Sequence, residues 1–465
     1  MQLPNATVSD KVLRLVGGTT FLGSSTLLDR MYIRDDYVGL WSEIQRLMSS
    51  GLSRIVVSGN PGIGKSWFGL YVAYQLLSRK SPPVIVWEAR LSGTRTLIRD
   101  GRVLDGSLDD FRTELSNTSA WYLVDEAIFP GAMRVEANTL VFSSPKRDNY
   151  RLTLKASAST IRYLPPWSWE EIEACHALLY ADDPTRPLSD VKAAYERWGG
   201  IPRLVLEQLR DEGAQLLLQE AIDTADVRGI WNSAGQIDAA PEASHRLLHI
   251  QVQRPYVRKS VTFGTRYIVD CLLNRFLEQQ ESELSRFLIS SASSANLGPL
   301  RGDVFEGYAH RVLRNGGDFR VRCLNGPDAG TEDTLHLACC DGVYSIREPA
   351  DLAKCPSDAH YCKPVYPNFP AVDALMLPGN LFQMTVSKTH SVKHAALKRV
   401  LEQLPDVSPY NLYFVVPEDI YPSFCAQQFV RADDASKTVT VLDARVKRVQ
   451  QWALCISLHR VPQLR

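Results

Sequence analysis

The chain has 465 residues, of which 45% are hydrophobic and 22% are charged, and its 52 basic residues are balanced by 52 acidic ones. At roughly 150 residues per domain, this length predicts two or three domains with separate hydrophobic cores. The balanced charge excludes a uniformly basic nucleic-acid-binding protein, so any nucleic-acid site must be a local patch. No window approaches the roughly 18 uncharged apolar residues of a membrane span, so no membrane partner is expected.

The N-terminus and the cysteines indicate a protein with reduced thiols. Asp10, Lys11 and Arg14 lie where a secretory signal needs an unbroken apolar stretch, so no usual export signal is visible. The nine cysteines are an odd number scattered along a long chain, unlike a disulfide framework. Zinc binding is an alternative, but the spacing lacks paired C-x-x-C motifs, and buried or incidental thiols are favoured. The residues of that alternative are Cys339, Cys340, Cys355, Cys362, His336 and His360.

A strand, a glycine-rich loop and a helix are predicted in succession from Arg54 to Ser78. The β-branched run Arg54–Ser58 is followed by Gly-Asn-Pro-Gly-Ile-Gly-Lys-Ser and then by a segment of helical length. Glycines let backbone N–H groups surround phosphate oxygens, and the helix N-terminus adds the positive end of its dipole. We expect Lys65 to reach the β and γ phosphates and Ser66 to bind Mg²⁺. The predicted cofactors are ATP and Mg²⁺, and the predicted loop residues are Gly59, Asn60, Pro61, Gly62, Ile63, Gly64, Lys65 and Ser66.

Two acids end a second apolar run, Trp121–Val124, about sixty residues after the loop. A phosphate-binding-loop enzyme needs one carboxylate on the magnesium side and one that activates water. Asp125 fits the first role and Glu126 the second. A solvated strand end is the alternative, and the position downstream of the loop favours hydrolysis over binding alone.

A third buried strand is predicted at Asn138–Phe142 and ends in Ser143-Ser144-Pro145. In open α/β sheets, ligands lie at the carboxyl edge of the strands. Ser143 or Ser144 is therefore a candidate sensor of the γ phosphate, and an ordinary Ser-Pro turn is the alternative.

A helix capped by Ser189 is predicted to run to Trp198, where Gly199-Gly200-Ile-Pro-Arg203 breaks the chain. This arrangement resembles AAA-like and STAND-like ATPases, in which such an element at the start of a lid helix places an arginine on the nucleotide. Arg203 is the candidate, and a surface arginine after a Gly-Pro turn is the alternative.

The pattern changes in the C-terminal half. Residues 204–294 have a helical pattern and are interpreted as a lid and connector, with a loop at Ser291–Leu300. Beyond it, the order helix, three strands, helix and strand is predicted. The segments are 302–314, 319–324, 372–377, 381–387, 392–404 and 412–416.

That order matches the restriction-endonuclease-like core, in which an acid and an acid-x-lysine pair on adjacent strands hold magnesium over a phosphodiester. Asp373 stands at the first acid position, and Gln383-x-Thr385 replaces the usual Glu-x-Lys. Lys388 lies an odd number of residues after Gln383, so on a regular strand its side chain points to the opposite face. Beyond the strand end, Lys388, or Lys393 on the following helix, could still reach the site.

His390 is a further candidate for acid/base work or phosphate contact, and Glu306 lies beside the apolar stripe of the first helix. A structural α/β domain whose acids are solvated is the alternative. The predicted catalytic residues of the whole chain are Glu126, Glu306, Asp373, Gln383, Lys388 and His390. The predicted metal ligands are Ser66, Asp125, Asp373 and Gln383.

The ordered motifs resemble the Crinkler effectors and the related retrotransposon-hot-spot proteins, in which a P-loop ATPase is fused to a restriction-endonuclease-like nuclease. The motifs are GNPGIGKS, WYLVDE, SSP, LPPWS, GGIPR, DVFEGYAHRVLRNGG, FPAVDA, FQMTVS and His390. The resemblance implies a secreted effector of a eukaryotic microbe that uses ATP and damages DNA in the host nucleus. The Gln-x-Thr substitution is similar to that family's pattern, whereas the Leu-Phe-Leu-Ala-Lys-type translocation module expected at a Crinkler N-terminus is missing from this sequence.

The sequence therefore predicts an α/β fold in which a P-loop NTPase with a helical lid precedes a restriction-endonuclease-like, PD-(D/E)xK-type domain. The predicted divisions are 1–205, 206–294 and 295–465. The leading hypothesis is hydrolysis of ATP with Mg²⁺ and cleavage of double-stranded host DNA. Two alternatives stay open: an ATP-switched module that binds DNA or protein with an inactive nuclease fold, and a STAND-type signalling ATPase that forms homo-oligomers.

Overall fold

The computed structural model describes residues 3–16, 19–20, 29–89, 95–107, 109–126, 135–279, 281–294, 297–365, 369, 371–431 and 437–458. The chain divides into two compact units, Met1–Ile268 and Val269–Arg465. Residues 206–294, predicted as a separate segment, lie partly in each unit, and the three-part division stays a prediction. Along the described residues, no helix is long and apolar enough to cross a membrane.

Unit 1 contains a three-stranded sheet, a seven-stranded sheet and a hairpin among its described residues. The strands are β1 Thr7–Ser9, β2 Val12–Arg14, β3 Arg30–Tyr32, β4 Arg54–Ser58, β5 Ile85–Ala89, β6 Arg95–Arg99, β7 Arg102–Gly106, β8 Trp121–Asp125, β9 Asn138–Phe142, β10 Ser159–Tyr163, β11 Leu248–Gln253 and β12 Val257–Phe263. The helices are α1 Asp35–Ser49, α2 Lys65–Leu77, α3 Arg112–Leu115, α4 Arg151–Lys155, α5 Trp169–Leu179, α6 Leu188–Trp198, α7 Glu212–Thr224, α8 Val227–Gly235 and α9 Ser244–Leu247, and α10 Arg266–Gln279 begins at the end of this unit.

The large sheet of unit 1 has the order β10-β4-β9-β8-β5-β6-β7. Its first five strands are parallel, and β6 and β7 add an antiparallel edge. β4, β8 and β9 are almost continuously apolar and buried, as expected for strands of a parallel sheet that is covered on both faces. The α/β class and the three strands predicted here are confirmed. Because β9 lies between β4 and β8, their carboxyl ends meet at one edge of the sheet.

Two predictions in unit 1 are wrong. The segment predicted as helical from residue 204 onwards contains the hairpin of β11 and β12, whose alternating β-branched residues flank a turn at Pro255. Ser189 does not cap α6. The helix begins at Leu188, directly after Pro187, whose extended conformation ends the preceding segment, so Ser189 already lies in the first turn.

Unit 2 is built around one eight-stranded sheet and a small two-stranded one among its described residues. The strands are β13 Gly317–Cys323, β14 Glu332–Leu337, β15 Gly342–Ile346, β16 His360–Pro364, β17 Ala374–Met376, β18 Asn380–Met384, β19 Val392–Lys393, β20 Tyr410–Pro417, β21 Phe429–Val430 and β22 Val449–Ile456. The helices are the remainder of α10, α11 Glu281–Ser290, α12 Gly298–Asn315 and α13 His394–Leu401.

The large sheet of unit 2 has the order β14-β13-β22-β20-β18-β17-β16-β15. Its central strands β18, β20 and β22 are parallel, and α13 packs its apolar residues into the core beside them. β17 is antiparallel to β18, with Ala374 opposite Phe382. Asp373, the residue before β17, therefore lies beside the carboxyl end of β18.

The predicted α, β, β, β, α, β order is present in unit 2, but additional strands accompany it. β14, β15, β16, β21 and β22 were not predicted. The first three carry few buried apolar residues, and β21 has only two residues. The third predicted strand, 381–387, ends at Met384, and it is buried on both faces, so Gln383 is 8% exposed. The first two residues of the predicted helix 392–404 form the short strand β19, and the helix itself, α13, covers only His394–Leu401.

The loop predicted at Ser291–Leu300 is also shorter than expected. Ser291–Ser293 form a 3-10 turn, and α12 begins at Gly298 with Pro299 in its first turn, where the missing proline N–H is tolerated. Residues 295 and 296 lie outside the described residues.

Candidate functional site

The Gly59–Ser66 loop joins β4 to α2 as a sharp turn. Two of its glycines have left-handed backbone conformations, with φ of +79° at Gly62 and +94° at Gly64. A Cβ at Gly64 would lie 2.5 Å from Tyr37 Oη, and one at Gly62 would lie 3.0 Å from Ile201 Cγ2. Glycine is therefore needed at both positions for conformation and for space.

Side chains and backbone from outside the loop bind its carbonyl oxygens. Tyr37 Oη donates to Gly64 O at 2.9 Å, and Trp167 Nε1 donates to Ile63 O at 2.9 Å. The backbone N–H of Arg203 donates to Gly62 O at 3.3 Å. These contacts fix the loop on α1, on the segment before α5 and on the segment after α6.

Asn60, predicted as a nucleotide contact, attaches the loop to the hairpin. Its side chain is fully buried, and Nδ2 donates to Leu248 O at 2.8 Å and to His245 O at 3.1 Å. Its Oδ1 accepts from Ile250 N at 2.9 Å. All three partners were missed by the sequence analysis, because they lie in a segment that was interpreted as helical. The backbone of Asn60 remains part of the loop.

Lys65 and the Ser66–Asp125 pair lie together at the edge of the sheet. Lys65 Nζ donates to Gly59 O and Asn60 O, both at 2.9 Å, and burial lowers the pKa of this amine to about 8. Ser66 Oγ donates to Asp125 Oδ1 at 2.9 Å. Burial raises the pKa of Asp125 to about 6. A buried lysine and a half-buried carboxylate that bonds a serine hydroxyl thus lie at the predicted phosphate and magnesium positions.

Glu126 follows directly and is exposed. Its φ of +55° is unusual for a residue other than glycine, and its N–H donates to Phe142 O at 2.9 Å. Such strained conformations cluster at functional sites. The negative charge of Glu126 acts on both Lys65 and Asp125, raising the pKa of each.

Ser144 and Arg203 lie at the same edge. Ser144 follows β9 and its Oγ accepts from Asn149 Nδ2 at 3.2 Å, while the neighbouring N–H of Ser143 donates to Val57 O at 3.0 Å. Arg203 is exposed, and its positive charge lowers the pKa of both Lys65 and Asp125. Its guanidinium is therefore close enough to act electrostatically on both groups.

Arg34 was missed by the sequence analysis. This fully buried arginine makes a bidentate pair with Glu171, at 2.8 Å to each carboxylate oxygen, and lies 4.8 Å from the Trp167 ring centroid. Glu171 in turn forms a capping box with Ser168 at the start of α5. The pair fixes the segment that carries Trp167 to the loop.

Asp373 and Gln383 come together in unit 2, as their predicted roles require. Asp373 Oδ2 accepts from Gln383 Nε2 at 2.6 Å and from the Met384 N–H at 2.7 Å. Mg²⁺ is commonly held by one or two carboxylates together with substrate phosphates. One carboxylate, with the Gln383 amide able to turn its oxygen toward a cation, fits that pattern.

Glu306 lies on α12 and is 34% exposed on its side chain, with Oε1 3.5 Å from His310 Nε2. The other ring nitrogen, Nδ1, is 2.8 Å from Tyr361 Oη. His310 and Tyr361 are buried. The series of contacts from Tyr361 through His310 to Glu306 was missed by the sequence analysis. His310 lies one helical turn after Glu306, and this spacing could have indicated that the two side chains meet.

Lys388 and His390 lie beyond the end of β18. Lys388 is exposed, and its carbonyl oxygen accepts from Gln427 Nε2 at 3.4 Å. His390 donates its N–H to Gln427 Oε1 at 2.5 Å, and burial lowers the pKa of its ring. Among the contacts of the described residues, none joins either side chain to Asp373.

No group of three or more His, Cys, Asp or Glu side chains is placed to hold a metal ion in the part of the chain that the structure describes. This finding covers the cysteine and histidine set considered for zinc. It leaves the mixed sets at Ser66 and Asp125, and at Asp373 and Gln383, as the candidate metal positions.

No family model matches the chain. Two proteins of Phytophthora infestans are similar to it. Crinkler effector protein 15 is 26% identical over 425 residues, which cover 86% of this chain and 65% of the relative. Crinkler effector protein 16 is 25% identical over 429 residues, which cover 86% of this chain and 64% of the relative. The similarity extends over both units and agrees with the Crinkler resemblance of the motifs.

Proposed function

We propose that unit 1 binds ATP with Mg²⁺ and hydrolyses it, and that unit 2 is a metal-dependent nuclease that acts on double-stranded DNA. In this proposal the chain is a Crinkler-like effector that is secreted and acts in the host nucleus. The similarity to two Crinkler effector proteins supports the effector role.

One observation carries the ATPase proposal. The hydroxyl of Ser66 and the carboxylate of Asp125 are 2.9 Å apart, beside the buried Lys65, although 59 residues separate them in the chain. For a purely structural turn, a buried lysine is unfavourable, because the desolvation that lowers its pKa is only partly offset by its two hydrogen bonds to carbonyl oxygens. Phosphate oxygens would compensate that charge, and Mg²⁺ would supply charge neutralisation on the transferred phosphoryl group.

Each side chain of the site then has a distinct task. Lys65 would exchange its two carbonyl partners for phosphate oxygens, while Ser66 and Asp125 would hold the magnesium ion. Glu126, exposed next to Asp125, would accept the proton of the attacking water. Arg203 would neutralise charge that develops on the phosphates.

Phosphate release by the purified chain tests the ATPase proposal. Wild type should release phosphate from ATP when Mg²⁺ is present. Asp125→Asn should lower the rate by about 100-fold or more, because it removes a negative charge that is positioned to hold the magnesium ion. Asp105→Asn is the matched control, since Asp105 is exposed on β7 and accepts from Thr96 Oγ1 at 2.8 Å. Equal rates in Asp125→Asn and wild type would refute this site.

Plasmid cleavage tests the nuclease proposal. Asp373 and Gln383 would hold Mg²⁺ against a phosphodiester, and Glu306 would lie nearby on α12. Asp373→Asn should abolish Mg²⁺-dependent nicking of plasmid DNA. Asp333→Asn on β14 is the control, because Asp333 is exposed and bonds to the next backbone N–H at 2.7 Å.

A second function is favoured by the contact between Gln383 and Asp373. Asp373 already accepts two hydrogen bonds, and the strand lysine of the usual nuclease motif is replaced by Thr385. An inactive nuclease fold that docks on DNA under control of ATP would show salt-sensitive DNA binding and no cleavage products. Cleavage that requires Asp373 decides against this alternative.

A further inference from the structure

Two thiols of unit 2 face each other across a short turn. Cys355 follows the 3-10 turn Pro349–Lys354, and Cys362 lies in β16. Their sulfur atoms are 3.3 Å apart. Cys355 is partly exposed and Cys362 is buried. The thiols are thus in contact, and one of them can be reached from solvent.

The turn between the two cysteines holds this geometry. The backbone N–H of His360 donates to Ser357 O at 3.3 Å, and Ser357 Oγ is 2.8 Å from His360 Nδ1. Cys355 Sγ is also 3.3 Å from Ser357 O. The segment is therefore folded back on β16 by its own hydrogen bonds. A bond between the sulfurs needs only a small movement from contact to bonding distance.

We propose that Cys355 and Cys362 are a covalent modification site, at which a peroxide-class oxidant forms a disulfide within the folded unit. Peroxide oxidises the accessible Cys355 thiol to a sulfenic acid, and its O–O bond is reduced, releasing one water. The Cys362 sulfur then attacks the Cys355 sulfur, the S–S bond forms and the S–O bond breaks. The Cys362 proton leaves with the departing hydroxide as a second water, so two electrons pass from the two sulfurs to the peroxide.

The order of attack follows from accessibility. Burial raises the pKa of the Cys362 thiol well above its usual range, so this sulfur is a poor first target for the oxidant. Cys340 is the competing partner for Cys362, because it lies close enough to act on this thiol electrostatically. The segment that carries Cys340 is held beside the turn, since the N–H of the next residue, Asp341, donates to Ala359 O at 3.1 Å. We assign Cys355 rather than Cys340 as the partner, because the sulfur atoms of Cys355 and Cys362 are in contact.

Peptide mapping of the full chain tests the proposal without any reference to nuclease or ATPase activity. The folded protein is treated with hydrogen peroxide, alkylated and digested with trypsin. No lysine or arginine lies between Cys355 and Cys362, so both remain on one peptide, whereas Arg347 and Lys354 separate them from Cys340. We expect oxidation to lower the mass of that peptide by two hydrogen atoms, and a reductant to restore the original mass.

Two variants and one stability measurement complete the test. Cys355→Ser should abolish the mass loss, and Cys425→Ser should leave it unchanged, because Cys425 is exposed and bonds to Ser423 O at 3.6 Å. Closing the short loop should raise Tm by about 5 °C. A fully alkylated peptide after oxidation, a cross-link to the Cys340 peptide, or a lower Tm of the oxidised protein would each overturn the proposal.

Discussion

The buried amine of Lys65 makes a prediction about stability that is independent of catalysis. Burial lowers its pKa from 10.5 to about 8. That lowering corresponds to about 3 kcal/mol of unfavourable free energy for the charged form in the folded protein. Replacing Lys65 by methionine removes the charge at similar volume. It also removes two hydrogen bonds to carbonyl oxygens, at about 1 kcal/mol each.

The balance of these two effects depends on pH. Because the folded-state pKa of Lys65 lies below the unfolded-state value, the folded protein releases the proton first as the pH rises. The destabilisation is therefore complete below pH 8 and disappears between about pH 8 and 10.5. We expect Lys65→Met to be about 1 kcal/mol more stable than wild type at pH 7, and about 2 kcal/mol less stable near pH 10.5.

Urea unfolding of both proteins at several pH values from 7 upwards measures this difference. Groups that do not interact with Lys65 cancel in the comparison, and Asp125, whose pKa the Lys65 charge affects, titrates near pH 6, below this range. Nucleotide affinity is measured on the same samples, and Lys65→Met should lose binding of ATP with Mg²⁺. A stability difference that does not change with pH would show that the folded protein does not lower the pKa of Lys65. Retained ATP binding in Lys65→Met would refute the assignment of the loop.

Three further changes have defined outcomes. Glu126→Gln should retain ATP binding and release phosphate about 100-fold or more slowly, as for loss of a general base, and a normal rate would place the base elsewhere. Asn60→Ala leaves buried groups of the hairpin unpaired and should lower the free energy of unfolding by about 3 kcal/mol in urea denaturation; an unchanged midpoint would contradict the attachment of the loop to the hairpin. Tyr361→Phe removes the hydroxyl beside His310 and should slow plasmid cleavage with little effect on phosphate release, and unchanged cleavage would show that this contact does not support Glu306.

The core of unit 1 was predictable from sequence because its signals are local. The strands β4, β8 and β9 are short apolar runs, and each ends in the residue types that ligands require at a sheet edge. Ser66 and Asp125 were both predicted as magnesium ligands, and the structure brings their side chains into contact.

Contacts that join distant segments could not be predicted in the same way. The hairpin partners of Asn60 lie about 190 residues away, and no local pattern connects them. Arg34 was missed because a single arginine before a helix carries no periodic signal, although its partner Glu171 determines where α5 begins. In unit 2, β14 to β16 were missed because they carry few buried apolar residues.

One reaction, monitored for both products, tests the two-part proposal most directly. Supercoiled plasmid, ATP and Mg²⁺ are incubated with wild type, Asp373→Asn or Lys65→Met, and nicked DNA and free phosphate are measured together. Wild type should yield both products, Asp373→Asn should release phosphate without nicking, and Lys65→Met should release no phosphate. Nicking by Asp373→Asn at the wild-type rate, or phosphate release by Lys65→Met at the wild-type rate, would contradict the proposal.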